Sequence, residues 1–329
     1  MSSIVLTDSH EGRTTASVVS PGLIDPKVAA DLERYLNVTR AEILFAREVV
    51  FVEGAADAYL LPALAEAAGF HFDNYGIVVS NVEGTDFAPY ATLLGPTALN
   101  RPHWVLTDGD AANAEPTSRG VKRTWLKEPG LWRAKQLAEL AGMSDLKSDL
   151  VTGIDAITEV DLPETGSRPD RPTLVETARR ARVYVGEHTL EVDIAHLLSE
   201  ELAAAHGDFK TRNSSRRAFE ELLKPVASGD ASTAQERSDF VEKIEDIGKG
   251  RFAQRLAAHV AVMDLRARLR DFYPQNTDGA FTRGELASIQ GAGSILVLLE
   301  DLSQAVRGVP LLPALAPADG AADDTGQAK

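Results

Sequence analysis

Four carboxylates stand where two apolar runs end: Glu53 and Asp57 follow Val49-Val50-Phe51-Val52, and Asp108 and Asp110 follow His103-Trp104-Val105-Leu106-Thr107. Glu53 closes its run and Asp57 falls in the first turn of the helix expected next, so both can face one crevice. Asp108 and Asp110 are two residues apart, the strand repeat that puts side chains on one side, and Gly109 between them allows close approach. Hard oxygen donors of this kind select Mg²⁺ or Mn²⁺. Without a cation, so many carboxylates in one crevice would raise each other's pKa, so the cluster makes electrostatic sense chiefly as a metal site. Taken singly, each pair also has an ordinary reading, as acids suited to a helix start and as an Asp-Gly turn.

The elements around these residues favour the first reading. The continuous apolar run at 49–52 suits a strand buried on both faces of a parallel sheet. A helix is expected over 55–68, with a kink at Pro62. A strand over Gly76 to Ser80, a short helix over Phe87 to Leu94 and a strand over His103 to Thr107 follow, the alternation of a doubly wound parallel sheet. In such sheets ligands bind beyond the carboxyl ends of the strands, where both acidic pairs fall. Upstream, Ile4 to Thr7 and Thr14 to Val19 read as a hairpin that must lean on something else, and Pro26 to Ala46 as mainly helical.

Downstream, residues 122–147 read as a helix carrying Trp125, Leu126, Leu131 and Trp132, residues 163–172 as a Pro-rich loop, and Arg182 to Val185 as a strand. Helices are expected over Leu190 to Ala205 and over 213–227, 235–272 and 284–306. The tail from Pro317 is small, polar and acidic, with the composition of a disordered segment.

Composition sets the outer limits. The chain has 329 residues, 44% of them hydrophobic and 25% charged, a globular balance with room for about two structural units. It has no cysteine, which excludes disulfides and thiolate-bound zinc. No apolar run reaches the ~18 residues of a membrane span and residues 1–20 lack a signal-peptide pattern, so the cytoplasm is the expected location. A net charge of −15 argues against general DNA coating. The charge is uneven, however: residues 1–100 hold thirteen acids against five bases and residues 208–271 eleven against thirteen, so an acidic site could be fed from a less acidic module.

Thr39-Arg-Ala-Glu-Ile-Leu-Phe-Ala-Arg47, Val52-Glu53-Gly54, Leu60-Leu-Pro-Ala-Leu64, Gly84-Thr-Asp-Phe87 and Leu106-Thr-Asp-Gly-Asp110 follow one another along the first third of the chain. Through these motifs, and more loosely beyond residue 110, the sequence resembles the overcoming-lysogenization-defect (OLD) family of nucleases. The resemblance implies a topoisomerase-primase (Toprim) type α/β domain that cleaves DNA with divalent cations, joined in the family to an N-terminal ATPase. The expected organisation is a hairpin and linker helix at 1–44 marking the junction to an absent ATPase domain, and a Toprim domain at 45–205 with an insertion at about 122–180. A helical domain at 206–308 and a disordered tail at 309–329 complete it. DNA is then the substrate, an ATPase domain or separate ATPase a partner, and a homo-oligomer possible; no membrane is involved.

Many Toprim topoisomerases and primases continue the acidic motif to a third Asp, where this chain has Ala112. A second cation then needs a ligand from elsewhere, for which Glu191, in Thr189-Leu-Glu-Val-Asp193, is the candidate. Lys249, in Gly248-Lys-Gly-Arg-Phe-Ala253, resembles a lysine motif of the family's helical portion that could stabilise charge at the scissile phosphate. The expected mechanism is two-metal phosphodiester hydrolysis, with Asp108, Asp110 and Glu53 at one cation and Glu53, Asp57 or Glu191 at the other, about 4 Å apart. Two runs, Arg168, Arg171, Arg179, Arg180, Arg182 and Lys210, Arg212, Arg216, Arg217, are candidate phosphate contacts or merely solvated faces. At 6%, aromatics are too few for base stacking to be the main mode of DNA binding, and none of the seven scattered histidines is assigned to catalysis. The rival classes are a primase- or topoisomerase-like phosphoryl-transfer enzyme, revealed by templated nucleotide incorporation, and a non-catalytic regulatory module, revealed by inactivity with every divalent metal.

No Gly-x-x-x-x-Gly-Lys-Ser/Thr phosphate loop occurs, so the chain itself is expected to bind no nucleotide. Cleavage by the purified chain should therefore be the same with and without ATP in a plasmid assay; stimulation by ATP would contradict this.

Overall fold

The computed structural model describes residues 5–10, 13–19, 22–36, 41–109, 112–114, 125–158, 171–209, 213–229, 233–276 and 279–315. Strands β1 (Val5–His10) and β2 (Arg13–Val18) form an antiparallel hairpin, followed by α1 (Pro26–Tyr35) and a short 3-10 helix over Ala41–Leu44. Then come β3 (Glu48–Val52), α2 (Ala55–Ala67), β4 (Ile77–Asn81), α3 (Ala88–Leu94) and β5 (His103–Thr107). A small hairpin of β6 (Ala112–Ala114) and β7 (Trp125–Lys127) leads to α4 (Pro129–Leu140), α5 (Ser144–Thr158), α6 (Arg171–Arg179) and β8 (Val183–Val185). The remainder is helical: α7 (Leu190–Asp193), α8 (Ser199–Phe209), α9 (Asn213–Ser228), α10 (Ala234–Glu245), α11 (Lys249–Val260), α12 (Leu265–Arg270), α13 (Arg283–Ala287) and α14 (Gly293–Arg307).

The main sheet has the order β4-β3-β5-β8 and every pairing in it is parallel. Strand alternation divides the core in two. Val50, Val52, Trp104, Leu106 and Tyr184 point to one face, into a cluster with α2 and the helices from α8 onward. Val49, Phe51, Val105, Val183 and Val185 point to the other, into a cluster with α1, α3, α4, α5 and α6. Burial on both sides is why the sequence shows continuous apolar runs rather than alternation. Leu6 and Val19 of the first hairpin are buried in the second cluster, which is the support a two-stranded ribbon needs.

The helical part is the cover of one sheet face. Its α11 packs along α2, α14 lies on β5 and β8, and its apolar residues continue the cluster that begins on the sheet. The expected boundary at 205/206 therefore does not coincide with a break in the core. Ser294 Oγ donates to the Val185 carbonyl at 2.5 Å, and the Tyr184 hydroxyl donates to Asp301 at 2.7 Å, both tying α14 to β8.

Several element boundaries differ from expectation. Within the helix expected over 122–147, the described residues form a strand, β7, and two helices, which part where Gly142 turns the chain at φ +73°. Residues 171–172, placed in a Pro-rich loop, begin α6, where a proline in the first turn forgoes no hydrogen bond. The single helices expected over 190–205, 235–272 and 284–306 are each divided, the second where Gly248 has φ +97° and the third where Gly291 has φ +68°. Pro62 lies within α2, which runs unbroken from Ala55 to Ala67. The tail from residue 317 lies outside the described residues.

The carboxyl ends of β5 and β8 approach so closely that Gly109 must be glycine: a Cβ there would lie 2.2 Å from the Gly186 carbonyl oxygen and 2.6 Å from that of Glu187. Backbone cannot yield as a flexible side chain would. Gly109→Ala should cost roughly 2 kcal/mol or more of unfolding free energy, as other overpacking changes do. Urea denaturation measures it, and an unchanged midpoint would refute the close approach.

Candidate functional site

The sheet order reverses between β3 and β5, so the crevice at their carboxyl ends is the topological switch point where open α/β sheets bind ligands. Continuing the alternation of Val49 and Phe51 sends Glu53 toward the α4 side, and that of His103 and Val105 sends Thr107 the same way. There the Glu53 carboxylate accepts hydrogen bonds from the Thr107 hydroxyl and from the Asp108 backbone N–H, the latter at 2.9 Å. Arg133, on α4, closes the group: its guanidinium is ion-paired with Glu53 and donates to the Thr107 hydroxyl at 2.6 Å. Sequence reasoning missed Arg133. Its signal is a basic residue at helical spacing among Gly130, Leu131, Ala134 and Leu137, which are buried.

The opposite side of the crevice holds a second group. Asp57 in the first turn of α2 is 8% exposed and Glu191 in α7 is 6% exposed. Asp57 accepts a hydrogen bond from the Gly54 N–H at 3.1 Å. Burial nevertheless pushes its pKa up to about 7, and the like charges of Glu191 and Glu53 push the same way. Lys249, the first residue of α11, sits 3.5 Å from Glu245. Burial works against its charge, but Glu191, Glu245 and Asp108 together outweigh this and raise its pKa, holding the ammonium ion charged. The placement follows from α11 packing on α2: a Cβ on Gly250 would meet that of Ala55 at 3.8 Å, so the two helix starts abut.

A third layer fixes the loop after β8. Buried Asp193 accepts from the N–H groups of Glu187 at 2.7 Å and His188 at 2.9 Å, and lies 3.4 Å from the His188 ring. Gly109 N–H in turn donates to the His188 carbonyl at 3.0 Å. Arg171 spans both oxygens of buried Glu128 at 3.1 Å and donates to the Gly186 carbonyl at 2.8 Å.

Of the residues singled out in the sequence, Glu53, Asp57, Asp108, Glu191 and Lys249 meet around one crevice, although the last two lie far along the chain. Asp110 lies outside the described residues. Among the described residues, which do not include Asp110, no three acid or histidine side chains stand close enough to hold one metal. Glu53 is turned to Arg133 and Asp57 to the Gly54 amide, arrangements that separate like charges.

The arginine run is largely taken up by structure, Arg171 by Glu128, Arg179 by Glu176 at 2.9 Å, and Arg182 by stacking over Trp104 at 4.6 Å. In the second run Arg216 pairs with Glu220 at 2.8 Å. Arg168, Lys210 and Arg212 lie outside the described residues. His103 stands at the amino end of β5, where burial lowers its pKa and Nδ1 bonds the Arg101 carbonyl at 3.0 Å, a structural role.

With Asp57 raised from 3.8 to about 7, the folded chain holds a proton that the unfolded chain has lost across that interval. Stability of the metal-free protein should therefore fall as pH rises through this window, by up to about 1.4 kcal/mol per pH unit, and level off above it. Asp57→Asn, which stays neutral, should gain on the parent over the same range. Melts in chelator at pH 5 and pH 8 test this, and a stability difference independent of pH would contradict it.

Comparison with known proteins bears on the same region. The family model described as overcoming lysogenization defect protein-like, TOPRIM domain, matches residues 44–110, which span Glu53, Asp57, Asp108 and Asp110. The C-terminal region of the Burkholderia pseudomallei OLD protein is 30% identical, with 70% of this chain and 98% of that one covered, at a TM-score of 0.45. The C-terminal region of the Xanthomonas campestris pv. campestris OLD protein is 27% identical in one structure, with 70% and 97% covered, at a TM-score of 0.44. No curated protein gives a significant match. The assignment rests on the domain match and on sequence identity along nearly the whole Burkholderia region: residues 44–110 are an OLD-like Toprim domain, and the chain belongs to the OLD family.

Proposed function

We propose that this chain is a divalent-metal-dependent DNA endonuclease that hydrolyses phosphodiester bonds at the crevice between β3 and β5. The observation that carries this reading is the convergence of Glu53, Asp108, buried Asp57, buried Glu191 and charged Lys249 at the carboxyl edge of an OLD-like Toprim sheet. The donor set fits hard cations, since every candidate ligand is a carboxylate oxygen. The raised pKa of Asp57 fits them too, because a dication would offset the burial, and the lesser repulsion of Glu191 and Glu53, that favour its neutral form.

Asp108, Asp110 and Glu53 would hold one Mg²⁺ or Mn²⁺, and Asp57 and Glu191, with Glu53, the second. Such ions supply activation of a water and stabilisation of the leaving oxygen. The residues of the chain do the rest. Arg133 serves as counter-charge for Glu53 through Oε1, the same oxygen that accepts from Thr107 and the Asp108 amide. Lys249 offers its ammonium ion to the developing charge on the phosphate, and the Asp193 and Gly109 contacts keep the crevice from collapsing. An ATPase domain or separate ATPase partner, and assembly into a homo-oligomer, belong to the same proposal.

Supercoiled plasmid should be nicked and linearised with Mg²⁺ or Mn²⁺, and Asp108→Ala or Glu53→Ala should abolish this while the chain stays folded. Equal cleavage by Asp108→Ala and the parent would sink the site.

A metal titration separates the remaining roles. Glu191→Ala should raise the metal concentration needed for half-maximal rate. Lys249→Ala should lower the rate at saturating metal by about a hundredfold, as loss of a donor to transition-state charge does. If both variants follow the parent curve, neither residue acts at the site.

A further inference from the structure

Beside the crevice, on the β4 edge of the sheet, lies an open groove of about 280 Å³ between α2 and the 3-10 helix. Ala55, Ala58 and Tyr59 form its α2 wall, Ser80 and Asn81 its β4 wall, and Glu42 its far end. Tyr59, on the helix that carries Asp57, is 44% exposed. Among the described residues no Lys or Arg lines the groove and the one charge is acidic, a poor match for a phosphate. Its volume falls just below the ~300–1,000 Å³ of drug-sized ligand sites, enough for one planar ring system.

We propose that this groove receives one unpaired nucleobase of the substrate strand, stacked on Tyr59 and read at its edge by Ser80, Asn81 and Glu42. The inference rests on the nuclease reading above. Ala55 joins the two sites: it lines the groove, lies two residues after Glu53, and is the neighbour of Gly250 beside Lys249. A strand whose scissile phosphate sits among Glu53, Asp108 and Lys249 can carry an adjacent base past Ala55, since the groove begins two residues from Glu53. Stacking on an aromatic ring is indifferent to base identity and requires that the base be free of its partner. The enzyme would then favour single-stranded or locally melted DNA over intact duplex, with the acidic end of the groove favouring bases that present an amino group.

The test uses Tyr59→Ala and Tyr59→Phe, which remove and retain the stacking face at an exposed position. A short single-stranded oligonucleotide carrying 2-aminopurine at successive positions is mixed with each protein in Mn²⁺, and fluorescence and cleavage are followed. The parent and Tyr59→Phe should quench the probe at one position next to the cleaved linkage. Tyr59→Ala should lose that quench, raise KM for the oligonucleotide about tenfold with kcat within about twofold, and lose the preference for single strand over blunt duplex. If Tyr59→Ala quenches and cleaves like the parent while Asp108→Ala is inactive, the groove holds no base and the nuclease reading survives. If Asp108→Ala also cleaves like the parent, the crevice is not the active site and both fall together.

Discussion

Carboxylates gathered at the end of a buried parallel sheet repel one another, and the arrangement around β3 and β5 answers that repulsion with charges and dipoles of its own. Glu53 has the Arg133 guanidinium and the Asp108 amide. Asp193 has two backbone amides and the His188 ring. Glu191 and Asp108 act on Lys249, and burial drives both Asp57 and Asp193 toward the neutral form despite the backbone amides they accept from. A site balanced this way can stay folded without an ion and still gain from one, because each internal partner offsets only part of the negative charge.

The scaffold makes that balance possible by rigidity. Strand residues at the crevice are fully packed on both faces, so the ends of β3 and β5 cannot drift apart to relieve the repulsion. Gly109 and Gly186 let the β5 and β8 ends meet at backbone distance, and Gly130 lets α4 start against Asp108, where a Cβ would fall 2.5 Å from its carbonyl oxygen. Arg133, one turn along that helix, is thereby delivered to Glu53. On the other face α11 lies along α2, so that the amino ends of two helices, with Lys249 and Asp57, border the same crevice. The helical part thus takes part in the site because it is packed as the second cover of the sheet.

Polar ties far from the crevice support this packing. Arg283 pairs with Asp301 at 2.7 Å and with Glu176 at 2.8 Å, and Asp301 also accepts from Tyr184 on the last strand. Burial and the nearby Asp301 charge raise the Tyr184 pKa, keeping its hydroxyl a donor. This chain of contacts joins α6, α13, α14 and β8, and so links the helices of both faces at the strand that supports Asp108.

The amino-acid sequence by itself determined the four strands of the main sheet, their burial on both faces and the placement of Glu53, Asp57 and Asp108 at the carboxyl edge. Each follows from apolar runs and from chemistry within a few residues of the strand end. It also pointed to Glu191, as a ligand that a second cation would otherwise lack, and to Lys249 by resemblance, without a physical reason for their meeting the strand-end acids. Helix divisions at Gly142, Gly248 and Gly291 were written in the sequence as glycines, but the left-handed backbone they adopt depends on what the flanking helices must pack against. Only the tertiary structure decided that Arg133 would face Glu53, that the helices after residue 205 would share the core of the sheet, and that Tyr59 would stay exposed beside the crevice. Those outcomes join residues tens to hundreds of positions apart, and no local periodicity specifies which distant partner a buried charge or an open groove will find.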